Sequence, residues 1–153
     1  MEGPALGGGF ELALACDIRI GTEACRLGFP EPRLGNSPAW GGMARLVNVA
    51  GMGAARNMLL TGEIISGAEA YRTGILQRFC PAADLKAWLD ELVVQILACE
   101  TSTLGFIKAI LGAPAQSVAA QDAAMAGYTA TSTESRERKE QFLADRRSRA
   151  GSI

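Results

Sequence analysis

At 153 residues, 48% of them hydrophobic and 20% charged, the chain has the length and composition of one folded domain with a sizeable core. Its 15 basic and 16 acidic residues leave a net charge of −1, too weak a field to gather nucleic acid or an anionic membrane surface. It contains no histidine, which excludes a Ser-His-Asp triad, a Cys-His dyad, a His-liganded zinc site and an imidazole proton shuttle, so proton chemistry falls to carboxylates, Lys, Tyr or Cys.

Residues 3–9 form a glycine-rich loop, and the Leu/Ala-rich stretch from Phe10 to Cys16 is expected to be a short helix. Ile18-Arg19-Ile20 alternates like a strand, and residues 26–29 suit a second one. Pro30, Pro32, Gly35 and Pro38 impose an irregular loop. From Gly41 the chain reads as helical, with runs at 45–49 and 54–60 separated by Gly51 and Gly53. Ser66-Gly67-Ala68-Glu69 is a capping box that starts a helix, and Gly74 stops it in the C′ position. Residues 75–79 suit a strand ended by Pro81. Asp84 is a candidate cap for a helix whose apolar face is Leu85, Trp88, Leu89, Leu92, Val93, Ile96 and Leu97. Further helices are expected over 102–111 and 118–128, and a last one from a capping box at Thr131–Glu134 to about Arg147. Glycine and strand signals thus occupy the first half of the chain, and helix fills the second.

Cys16, Cys25, Cys80 and Cys99 are widely spaced, with no C-x-x-C pair, and are expected to be reduced and mostly buried in a cytoplasmic compartment. No apolar run reaches the roughly 18 residues of a membrane span, and Met1-Glu2-Gly3-Pro4 does not read as a targeting peptide. The charge-dense residues 134–149 mix both signs and suit a solvated helix face.

The chemistry concentrates in Ala5-Leu6-Gly7-Gly8-Gly9-Phe10-Glu11. Consecutive glycines before a helix let the backbone approach a ligand and aim N–H groups at it. There is no G-K-[ST] for a P-loop and no G-x-G-x-x-G spacing, so a carbonyl oxygen that gains negative charge is a better candidate than phosphate. A tight turn packed on a neighbour would use the same glycines for steric reasons alone. Glu11 sits among residues that favour burial, where a carboxylate is costly unless paired or used. Glu31 lies between Pro30 and Pro32 on stiff backbone. Two glutamates so held can share a water or a substrate proton, although spacing alone is weak support for pairing them.

The run from Gly3 to Ile20, GPALGGGFELALACDIRI, resembles the core signature of the crotonase superfamily, the enoyl-CoA hydratase/isomerase family. Leu27-Gly28-Phe29-Pro30-Glu31, Leu34-Gly35, Pro38 with Gly41-Gly42, Arg45-Leu46, Leu60-Thr61-Gly62-Glu63, Ser66 with Ala68-Glu69-Ala70 and Gly74, and Phe142-Leu143-Ala144-Asp145-Arg146-Arg147 continue it. The resemblance implies an α/β chain, strand-poor and mostly helical. It further implies the C-terminal portion of a crotonase-like spiral ββα fold over residues 1–80, followed by a helical trimerisation region over 81–153. By the same resemblance Gly8 is an oxyanion-hole donor, and Glu11 and Glu31 are the two catalytic glutamates of the hydratase branch. Leu6 and Gly7, with Pro38, Ala39 and Trp40 on the later loop, are the substrate-binding positions. The implied substrate is an acyl-CoA thioester, with coenzyme A present only as part of it and with no metal or separate cofactor. The implied assembly is a homo-oligomer, a trimer or a hexamer, with no nucleic-acid or membrane partner.

Two departures stand out. Ala39-Trp40 replaces a Gly-Ala type pair, so a bulky Trp40 either reshapes the pocket or packs as a large apolar residue. In the family, the glycine motif also follows a long N-terminal half that supplies most strands, the other oxyanion donor and much of the CoA surface. The chain therefore reads as N-terminally truncated. Apolar faces around Leu6, Phe10, Leu14, Ile18 and Ile20 are then expected to lack partners and to drive association. Two functions follow: hydration of an α,β-unsaturated acyl-CoA, impaired by the missing half, or a non-catalytic assembly or acyl-CoA-binding remnant.

Overall fold

In the computed structural model, residues 1–35 and 37–112 are described, together with Thr133, Glu137, Glu140, Gln141 and Ala144, which are helical. The helix expected over 118–128 and the capping pair Thr131 and Glu134 lie outside the described residues. The chain divides into two compact units, Met1–Asp90 and Glu91–Ile153.

The first unit opens with a strand that the glycine-rich reading treats as loop. This is β1, Pro4–Leu6, followed by α1, Gly8–Ala15. β2, Ile20–Gly21, and β3, Arg26–Gly28, come next. A 3₁₀ turn, Glu31–Leu34, occupies the proline-rich loop. α2 spans Gly42–Thr61 and consists of two helical segments joined across a kink at Gly51 (φ 77°, ψ 163°), one of the two glycines expected to separate the runs at 45–49 and 54–60. β4, Ile64–Ser66, leads into α3, Gly67–Arg72, and β5, Arg78–Phe79, follows. A 3₁₀ turn, Ala82–Asp84, precedes α4, Leu85–Leu97.

β3 is central to a three-stranded sheet, parallel to β1 and antiparallel to β4. β2 and β5 form a separate parallel pair. Strands this short carry too little alternation to announce themselves, which is why β1 and β4 escape a pattern reading. The strand expected over 75–79 shrinks to Arg78–Phe79 because Ile75 and Leu76 are drawn wholly into the core, with Leu76 N–H bonded to Ala70 O. Leu27, Phe29, Leu46 and Ile65 join Phe10 and Leu14 there. The expectation of partnerless faces is therefore corrected for Phe10, Leu14 and Ile20, all buried inside the unit; Leu6 is half-buried and Ile18 exposed.

Arg19 explains the shift of β2 away from Ile18. Its buried side chain donates from Nε to Ile75 O (2.6 Å) and from Nη1 to Cys16 O (2.6 Å), just beyond the C-terminal end of α1, where a cation is favoured. Burial lowers its pKa, against the opposing pull of Cys16 and Asp17.

All four cysteines are free, but only two are buried, Cys25 and Cys80; Cys16 and Cys99 are exposed. Burial pushes the Cys80 thiol up, and Asp84 and Glu23 add to the shift. Iodoacetamide is expected to label Cys16 and Cys99 in the native chain and to reach Cys25 and Cys80 only after denaturation, because the reactive species is the exposed thiolate. Peptide mass spectrometry checks this, and uniform labelling of the native chain would contradict it.

The apolar stripe of α4 has the expected periodicity but is largely uncovered, with Leu89, Val93, Ile96 and Leu97 exposed and only Leu85 buried. In the second unit, α5, Thr101–Leu111, is capped by Glu100, whose carboxylate accepts from Ser102 N (3.0 Å) and Thr103 N (2.6 Å). Hydrogen bonds from Thr103 and Ser102 lower the Glu100 pKa from 4.5 to about 2. A depressed carboxylate pKa stabilises the fold above the unfolded value and loses that contribution as pH falls through the folded one. The first turn of α5 is therefore expected to fray as pH drops from 4.5 through about 2. NMR of the Thr103 amide reads the transition, and Glu100→Gln should remove it. Among the described residues, no single helix is long and apolar enough to cross a membrane.

Candidate active site

β1 turns directly into α1 at Gly7, and that turn builds the site. Gly7 has φ 54°, donates to Gly28 O (3.0 Å), and accepts from Phe10 N (2.9 Å) and Glu11 N (3.0 Å). A side chain there would be strained in backbone conformation, and its Cβ would fall 2.7 Å from Oε1 of Glu31. Gly8 is the first residue of α1, so its N–H has no intrahelical acceptor, and it sits at the positive end of the helix dipole.

Glu11 projects from the first turn of α1 and is 4% exposed. Its Oε1 accepts from Trp40 N (2.8 Å) and Gly42 N (2.9 Å). Gly42 begins α2, so the carboxylate satisfies one of that helix's unpaired amides, and this is what makes its burial tolerable. The approach requires glycine, since a Cβ at position 42 would lie 2.5 Å from Glu11 Cγ and 2.8 Å from Phe29 Cζ.

Glu31 opens the 3₁₀ turn between the two prolines, and its carboxylate lies against Gly7. Its Oε2 is buried and has no hydrogen-bond partner among the described residues. A buried carboxylate oxygen left unpaired is costly and is a natural place for a ligand proton. Arg33, in the same turn, donates from Nε to Thr61 O (3.1 Å) and so ties the turn to the last residue of α2.

The Trp40 ring lies on Gly8, where an added Cβ would be 2.5 Å from Cζ3 of the indole. Its carbonyl accepts from Arg45 Nη1 (2.7 Å). Leu6 is half-buried at the end of β1, Pro38 is buried, and Ala39 is exposed. The fold thus gathers Gly7, Gly8, Glu11, Glu31 and Trp40 around one helix turn, with Leu6, Pro38 and Ala39 in the flanking segments. Sequence reasoning did not assign the supporting roles of Gly42, Arg33 and Arg45. The Gly41-Gly42 pair ahead of a helical run was the available signal for the first. Among the described residues, no cluster of three His, Cys, Asp or Glu side chains could hold a metal ion.

Residues 1–149 of the chain are matched by the family model for enoyl-CoA hydratase/isomerase. The chain belongs to the enoyl-CoA hydratase/isomerase family. It is 38% identical over 98 residues to the short-chain-enoyl-CoA hydratase of Clostridium acetobutylicum, a match covering 64% of this chain and 38% of that protein. The crystal structure of the Bacillus anthracis enoyl-CoA hydratase superposes with a TM-score of 0.85 at 28% identity, covering 94% of this chain and 57% of that one. A Thermobifida fusca protein assigned as an enoyl-CoA hydratase, crystallised in complex with CoA, superposes with a TM-score of 0.72 at 31% identity, covering 94% of this chain and 52% of that one. The chain therefore spans under two thirds of the length of the relatives it matches. Its few strands and mainly helical content agree with the α/β, mostly helical fold implied by the motifs.

Proposed function

We propose that this member of the enoyl-CoA hydratase/isomerase family acts on an α,β-unsaturated acyl-CoA thioester and adds water across its double bond with the pair Glu11 and Glu31. The observation that carries this reading is the buried, unpartnered Oε2 of Glu31 beside the Gly7–Gly8 turn, with Glu11 held in the same turn by two amides. In the reaction, the carboxylates take a proton from water as its oxygen bonds to the β-carbon, and a proton is delivered to the α-carbon. Charge that passes to the thioester oxygen faces the Gly8 N–H, which stabilises it. Nothing is oxidised or reduced, and coenzyme A enters only with the substrate.

An oxyanion donor of the kind proposed for the Gly8 N–H is worth about 10²–10³ in rate. The chain's free thiols suit a reducing, cytoplasmic compartment. The uncovered apolar residues of α4 and α5 suit association of copies, as a trimer or hexamer. A second reading is a non-catalytic assembly or acyl-CoA-binding protein that uses the same Gly7–Gly8 turn to hold the thioester. A crotonyl-CoA hydration assay at high protein concentration separates the two. Turnover above buffer that disappears in Glu31→Gln supports the hydratase, whereas no turnover with retained binding supports the second reading.

A further inference from the structure

Trp40 is a large aromatic residue left 71% exposed, yet it is not loosely held. Its backbone N–H donates to Glu11 Oε1, its backbone carbonyl accepts from Arg45 Nη1, and one side of its ring is pressed onto Gly8. The indole is thus fixed at the glycine whose N–H faces the thioester oxygen in the reading above. We propose that Trp40 is a specificity-determining residue: its indole is the flat wall on which the acyl group of a thioester held at Gly8 rests, selecting short, planar enoyl groups over long chains. This rests on the acyl-CoA reading and extends it to the class of acyl group.

A thioester oxygen bonded to Gly8 N–H places the α- and β-carbons next to that glycine, within reach of a ring already touching it. A conjugated enoyl group is planar and stacks on an aromatic face, whereas a long saturated tail does not lie flat and must pass the ring edge. Ring-sized changes in an apolar wall shift chain-length preference on the order of tenfold or more.

The chain has two tryptophans, Trp40 and Trp88. Trp88 lies on α4 beneath the Arg78 guanidinium, 5.4 Å from its ring centroid, so Trp88→Phe leaves Trp40 as the sole indole reporter. Titration of that variant with crotonyl-CoA is expected to give a saturable change in Trp40 fluorescence, with the same midpoint as calorimetric binding. Trp40→Ala is expected to shift the ratio of crotonyl-CoA to decenoyl-CoA affinity by about tenfold toward the longer chain. Trp40→Phe, which keeps a flat ring, should shift it less and guards against misfolding of the alanine variant. Calorimetric binding without a Trp40 signal, or an unchanged ratio in both variants, would overturn the role of Trp40 and leave the acyl-CoA reading standing. Absence of calorimetric binding for either thioester would overturn both.

Discussion

Replacing Glu11 with glutamine is expected to lower crotonyl-CoA hydration by about 10²–10⁴-fold, the usual worth of a positioned acid or base, while leaving the fold in place. The separation of these effects follows from the geometry. Oε1 of Glu11 accepts from the amides of Trp40 and Gly42, and the amide oxygen of glutamine can accept the same two bonds. What glutamine removes is the charge and the ability to exchange a proton. Alanine would also take away the acceptor from two amides, at about 1–3 kcal/mol for each buried group left unpaired, and would free the Trp40 loop. Loss of enoyl absorbance in the assay, read beside circular dichroism, tests both variants. Hydration unchanged in Glu11→Gln would leave Glu11 as no more than a cap for α2.

The largest stability effect is expected at Phe29, which links the core to the site. Its ring is fully buried, pairs with Phe10 at 4.9 Å between centroids, and packs against Gly42, where Glu11 is gripped. Phe29→Ala removes an aromatic side chain from a close-packed cluster and leaves a cavity, a change that costs about 3–5 kcal/mol. For a unit of this size, that corresponds to a fall in melting temperature of roughly 12 °C or more. Phe29→Leu should recover much of the loss by refilling volume. Thermal melts of the two variants check the order, and a loss below about 1 kcal/mol for the alanine variant would show that the ring is not packed as described.

Local devices were legible because their physics is local. The Ser66 hydroxyl caps α3 by accepting from Glu69 N (3.2 Å), as the four-residue pattern implied, and Gly74 follows that helix at φ 78°. Glu11 among apolar neighbours is buried, and Glu31 between prolines sits on a stiff turn. The strands were less legible, since β1 and β4 are three residues each and exist only through pairing with β3. The cysteines divided two and two, because exposure depends on what packs over a residue and not on its type.

The residues alone determined the kind of chemistry available. Without histidine, with a glycine run before a helix and with two constrained glutamates, proton transfer by carboxylates beside an amide-lined turn was the consistent choice, and ordered motifs pointed to the family. Tertiary structure decided which of these groups meet. Glu31 comes to Gly7 because β1 and β3 pair in register and deliver both turns to the same sheet end. Glu11 meets Trp40 and Gly42 because α2 starts beside α1, and no local pattern encodes a hydrogen bond across 29 or 31 residues. The physical reason is range: capping and turn preferences act over a few residues, while carboxylate partners are set by how buried apolar faces pack.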